Sequence, residues 1–249
     1  MDVKRLEVLG LDWAKQAMRQ PFLSSPKGPQ ADVELAKRLI NSGREHRKFM
    51  RQVTIQIEFS ASMAFLAEFD TYKIGCTRNS QSFWNTWKGK FSPQDFVLPD
   101  CDIKTMATNA ECCKATKCAQ MIILETLNEL VELGVKKEVL RYLVPQGINY
   151  NGIFTLTGET YINMLKQRQN HRLPEWIEFL THTILKIELL HNDFYQLIRH
   201  LIKDDSKLAN NLERYESYNL SKNCMESRSA GFTPPTQPAC PGVVYFENK

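Results

Sequence analysis

Thr157 to Trp176 reads TGETYINMLKQRQNHRLPEW, and this stretch decides how the second half of the chain is laid out. Thr157 is a helix cap, and the helix it opens is expected to reach about Gln169. Pro174 suits the first turn of the next helix, where a backbone N–H would have no partner in any case. Asn163 and Arg168 fall about one and a half turns apart on the first helix. An amide and a guanidinium at that spacing can hold a planar ring and an anion, one by amide hydrogen bonds and the other by a rigid fork of donors. On spacing alone, an arginine on a solvated helix face explains Arg168 as well. His171 and Arg172 follow and complete a basic cluster ahead of the second helix.

From Trp176 onward, apolar residues recur every three or four positions through Leu180, Ile184, Ile187, Leu190, Phe194, Leu197 and Leu201. The pattern predicts one long helix over residues 173–202, roughly 30 residues and about 45 Å. A helix of that length with one apolar stripe packs on a sister helix or on another subunit. Beyond Asp204 the periodicity decays, ending in the proline-rich run Thr233 to Pro238. Two regions are therefore expected, an ordered domain over 1–204 and a poorly structured tail over 205–249.

Working back toward the start, helix and strand signals alternate. Asp12 to Arg19 reads as a short helix stopped by Pro21, and Ala31 to Ile40 as an amphipathic helix ended by Asn41-Ser42-Gly43. Thr54 to Phe59 (TIQIEF) alternates apolar and polar residues as a half-buried strand does, and Ile148 to Leu156 favours the same structure. Ala61 to Phe69 is a buried-helix signal, followed by a polar, glycine-containing loop from Asp70 to Phe83. Cys118 to Leu133 and Lys136 to Leu143 read as helices, closed by Gly134 and by Val144-Pro145.

Composition narrows the class. Hydrophobic residues make up 43% and charged residues 24%, so the chain can build a core and is not disordered by composition. A net charge of +4 is too small for a protein that coats nucleic acid. No run is long and apolar enough to span a membrane, and no secretory leader pattern opens the chain, so a soluble cytoplasmic protein is expected. Cys101, Cys112, Cys113 and Cys118 lie close together but lack the paired knuckle spacing of a structural zinc site, and free thiols are expected. No HExxH, Walker A, GxGxxG or GxSxG pattern occurs. No metal site is expected.

Three places hold enough chemistry for a site. Arg44, His46, Arg47, Lys48 and Arg51 form a dense basic patch just before a strand, a setting that can hold a diphosphate or be a solvated helix end. The loop holding Lys73, Arg78, Ser80 and Ser82 offers hydroxyls and cations for a phosphate. The third is the helix with Asn163 and Arg168.

The order of these features resembles the flavin-dependent thymidylate synthases. That family runs as helix, S-G-H-x-S, strand, R-H-R-x-x-S-x-N-E-x-S-x-R-Y, an L-P element, and a helix reading T-x-N-x-R-x-L-x-x-F-L-x-L-R. Here the counterparts are Ser42 to His46, the strand at 54–59, the loop ending Ser80 to Phe83, Val144-Pro145, and then Thr157, Asn163, Arg168 and Glu175-Trp176. The stretches Glu45 to Phe49 and Glu68 to Gly75 are similar to a divergent branch found in phages and Firmicutes. With Ser80 on the motif serine, Asp70, Thr71 and Tyr72 stand where R-H-R belongs, and Thr77-Arg78 replaces N-E. The pyrimidine-contacting loop is the rewritten part.

The resemblance implies an α+β fold, with a twisted, mainly antiparallel sheet flanked by helices, assembled as a homotetramer. It implies FAD as cofactor, NADPH and methylenetetrahydrofolate as co-substrates, and reductive methylation of dUMP at C5. Carried over by position, Arg168 polarises the uracil and is the catalytic residue. Arg44, His46, Arg47 and Asn163 contact the flavin, and Lys73, Arg78, Ser80, Ser82 and Arg168 the nucleotide. Two alternatives stay open, namely flavin-dependent modification of another pyrimidine nucleotide and an inactive scaffold of the same fold.

Overall fold

The computed structural model describes the fold of residues 1–96 and 110–217. In chain order the elements are β1 (Asp2–Leu9), α1 (Leu11–Arg19), α2 (Pro29–Asn41), β2 (Thr54–Ser62), α3 (Met63–Phe69), β3 (Cys76–Ser80) and α4 (Phe83–Thr86). They continue as α5 (Ala110–Glu132), α6 (Lys137–Leu140), β4 (Asn149–Thr157), α7 (Gly158–Arg168), α8 (Pro174–Leu190) and α9 (Asn192–Arg199). Helices and one four-stranded antiparallel sheet, in the order β1-β2-β4-β3, make this an α+β fold.

The sheet follows from period-2 patterning. Ile55, Ile57 and Phe59 of β2 are fully buried and face Val8, Leu6 and Val3 across β1. On the other side they face Leu156, Phe154 and Gly152 of β4. Phe59 stacks on Phe154 at 4.1 Å and touches Phe65, Phe69 and Phe179. This aromatic centre joins the sheet to α3 and α8, and it extends to Trp176, itself wholly buried. A smaller apolar cluster of Phe83, Phe91, Leu127 and Ile148 sits beside it.

Three expectations are revised. The loop expected over 70–83 contains strand β3, because the polar run CTRNS pairs with β4 along the sheet edge. The single helix expected over 173–202 is two helices, since His191 leaves helical geometry (φ −146°, ψ 80°) while the apolar stripe carries on through Phe194, Leu197 and Leu201. Order also runs past Asp204, with residues 207–217 helical and Leu208, Ala209 and Leu212 buried in the core. The chain divides into one unit over Met1–Leu212 and a second over Glu213–Lys249. Of the second, residues 213–217 are helical and the rest lies outside the described residues.

Cys101 lies outside the described residues, as do the side chains of Cys112, Cys113 and Cys118. Cys76 is a free thiol pushed up to about 11 by burial and by Asp70, against the pull of Arg78, so it stays protonated at neutral pH. Among the described residues no helix is long and apolar enough to cross a membrane, and no cluster of ligating side chains suits a metal ion.

Candidate active site

Helix α7 is the frame of the site. Thr157 caps it, its hydroxyl accepting the Thr160 N–H, and Tyr161, Ile162, Met164 and Leu165 bury one side of it completely. Its other positions are mostly polar, and three of these residues, Glu159, Asn163 and Arg168, bear on the site. At 100° per residue, Asn163 and Glu159 share a face while Arg168 lies about 140° round from Asn163. The pair that spacing would place on one ligand therefore turns to two different neighbours.

Asn163 and Glu159 face the turn Arg47–Gln52. Arg47 donates Nη2 to Asn163 Oδ1 at 2.8 Å and Nε to Glu159 Oε1 at 3.4 Å, while Arg51 Nε takes the other carboxylate oxygen. Arg47 and Glu159 are about one tenth exposed, so this is an inward ion pair. Burial pushes the Glu159 carboxyl up, but Arg51 and Arg47 outweigh it and hold the group below its ordinary value. Arg44, His46 and Lys48, by contrast, lie exposed on the surface.

Arg168 faces the segment between α3 and β3. Its Nε donates to the Tyr72 hydroxyl at 3.0 Å, which in turn donates to Gln167 Oε1 at 2.8 Å. The guanidinium carbon lies 4.8 Å from the centre of the Trp176 ring and 5.6 Å from that of Tyr72. Nη1 contacts His171 Nε2 at 2.6 Å and stands 3.7 Å from Glu68 Oε2, which accepts the Trp176 indole N–H at 3.0 Å. Burial, then the Arg168 charge, lowers the His171 pKa, so the ring is neutral and accepts from Arg168. With its single proton then on Nδ1, the 3.2 Å approach of the Leu173 N–H is not a hydrogen bond. Sequence reading singled out Arg168 but neither Glu68 nor Tyr72, whose contacts with it span 100 and 96 positions of chain. The only sequence signal was Glu68 to Gly75 as a block.

The same segment is tied to the start of α7. Thr160 donates its hydroxyl to the Ile74 carbonyl at 2.7 Å, and the Thr157 N–H donates to the Gly75 carbonyl at 2.8 Å. Gly75 sits at φ +68°, and a Cβ there would come within 2.7 Å of Thr157 Oγ1 and 2.8 Å of Thr160 Oγ1. Gly75→Ala is expected to cost about 1–2 kcal/mol from the left-handed backbone alone. Urea midpoints at pH 7 check it, and an unchanged midpoint would mean the segment is not held there.

On the sheet edge, Arg78 stands opposite Phe154 and Ser80 opposite Gly152. Arg78 Nη1 lies 2.9 Å from Asp70 Oδ2 as an ion pair, and among the described residues this buried nitrogen has no aligned hydrogen bond. Burial raises the Tyr150 pKa, opposed by Arg141 and then Arg78, so both guanidiniums act on that hydroxyl. Lys73, Ser80 and Ser82 are exposed on this segment.

Solved structures show the same fold. Two crystal structures of Thymidylate Synthase X from Helicobacter pylori, each with FAD and dUMP, align over 82% of this chain and 100% of theirs. Their TM-scores are 0.64 and 0.63, at 18% and 19% identity. No curated protein matches the sequence. The family model described as thymidylate synthase complementing protein (Thy1) matches residues 11–187, which takes in α1 through most of α8. By that match, and with a fold that agrees, the chain belongs to the thymidylate synthase complementing protein (ThyX) family.

Proposed function

We propose that this chain is a flavin-dependent thymidylate synthase that methylates dUMP at C5, using FAD with NADPH and methylenetetrahydrofolate as co-substrates. The observation that carries the reading is the setting of Arg168: a guanidinium one fifth exposed, backed by an indole and fixed at Nε by a tyrosine hydroxyl. A cation held in place before the substrate arrives stabilises charge developing on a ring without reorganising. Arg168 beside the uracil C2 carbonyl is the polarising residue, and Trp176 keeps water from its inner face.

The donors present fit both ligands. Arg44 and His46 are open to take a flavin diphosphate, and Arg47 acts through Asn163, whose amide N–H donors have no partner among the described residues. The Arg78 guanidinium, with Lys73, Ser80 and Ser82, suits the nucleotide phosphate. FAD, when bound, supplies the redox chemistry that the protein's own side chains lack. Asn163 and Arg168 leave α7 on different sides, which supports a site shared between subunits of a homotetramer. A cytoplasmic enzyme of nucleotide biosynthesis is consistent with this reading.

The test is the visible absorbance of the purified protein, followed by cofactor extraction. Flavin bands, and growth of a thymine auxotroph carrying the gene, are the expected results. A colourless protein that fails to take up added FAD would overturn the proposal in favour of an inactive scaffold. Bound flavin without rescue would point to another pyrimidine nucleotide.

A further inference from the structure

We infer that Glu68 selects the base: with Arg168 it forms an adjacent acceptor and donor that read the imide edge of a uracil ring and reject cytosine. The inference rests on the nucleotide reading above. Glu68 lies in the last turn of α3 with its side chain about one third exposed, and Arg168 is about one fifth exposed. Each is committed on one edge and open on the other. Glu68 Oε2 accepts from Trp176, while no described residue bonds Oε1. Arg168 spends Nε on Tyr72 and Nη1 on His171, and Nη2 has no partner among the described residues.

The contact with Trp176 does not account for a carboxylate. An amide oxygen would accept an indole N–H as well, and the 3.7 Å approach to Arg168 is a loose ion pair. What the carboxylate adds is a second oxygen that only accepts. Uracil presents a carbonyl acceptor at O2 and an N–H donor at N3, side by side. A guanidinium donating to O2 and a carboxylate accepting from N3–H match that order. Cytosine presents two acceptors along the same edge, so its N3 lone pair would face the carboxylate. Opposed acceptors discriminate more strongly than a merely missing bond, because the carboxylate loses water and gains nothing.

The experiment is calorimetric titration of the full-length, FAD-loaded protein with dUMP, dCMP and N3-methyl-dUMP. Wild type is expected to bind dUMP about a hundredfold more tightly than dCMP, the scale of one bidentate base contact. N3-methyl-dUMP, which lacks the donor, should bind at least about thirtyfold more weakly than dUMP, and this measurement needs no variant. Glu68→Gln, checked for an unchanged melting temperature, should bring dUMP and dCMP within about fivefold, since a rotated amide can donate to cytosine N3. Equal binding of dUMP and dCMP, tight binding of N3-methyl-dUMP, or a variant that keeps full selectivity overturns the role of Glu68 and leaves the nucleotide reading standing. If no pyrimidine nucleotide binds wild type, the nucleotide reading itself fails, and this inference with it.

Discussion

Arg168→Ala is expected to lower the proposed thymidylate formation by about a hundredfold to a thousandfold, the size of effect seen when one preorganised charge-stabilising donor is lost. The fold should survive. Arg168 is partly exposed and its ion pair with Glu68 is loose, so stability should fall by only about 1 kcal/mol, a few degrees in Tm. Arg168→Lys keeps the charge but loses the fork that reaches Tyr72 and sits over Trp176, so most of the loss should remain. Steady-state assays beside thermal melts separate the two effects. Turnover unchanged in the alanine variant would remove Arg168 from the mechanism altogether.

The second large effect is on stability. Glu159→Ala leaves the Arg47 guanidinium, about one tenth exposed, without its countercharge inside the molecule. Stranding a buried charge in this way costs about 3–5 kcal/mol. Arg51 is more than half exposed and adds little to that figure. The ion pair also sets an acid limit. The Glu159 carboxyl titrates below its ordinary value of 4.5 in the folded protein, so folding favours the ionised form. Its contribution is complete above about pH 4.5 and is lost as pH falls through the depressed folded value. In urea denaturation, wild-type stability should therefore fall more steeply on acidification below that pH than the stability of Glu159→Gln does. A Glu159→Ala unfolding free energy within about 1 kcal/mol of wild type at pH 7 would show that Arg47 finds water or another partner.

Much of the fold was legible because it rests on local periodicity. TIQIEF announced β2, the β-favouring run Ile148 to Leu156 announced β4, and the capped helix after it appeared within one residue of its expected end. The misses have physical causes. A bulge between Val3 and Arg5 interrupts the alternation of β1, which went unread. The edge strand β3 is polar, and only pairing with β4 makes it a strand. The stop at His191 left the apolar stripe intact, so periodicity ran through it.

At the site, Arg168 could be placed because its helix could. Its setting could not, since Glu68 and Tyr72 approach it only after α3 packs beneath α8 through Phe65 and Trp176. The inward turn of Arg47 was equally hidden. Five basic residues in a short run look alike until Glu159, 112 positions away, takes one of them into the interior.

The segment from Asp70 to Gly75 is fastened at two points to one helix, by Ile74 and Gly75 at the capped end of α7 and by Tyr72 at the Arg168 end. Mechanically this is a braced frame, with the helix as the strut and the two sets of hydrogen bonds as its ties. A frame fastened at both ends has no hinge of its own. A ligand that fits poorly cannot be accommodated by swinging the segment aside, because both ties would have to break together. Under the proposed function, such a wall would act as a fixed gauge, turning away misfits at the encounter rather than closing around whatever enters.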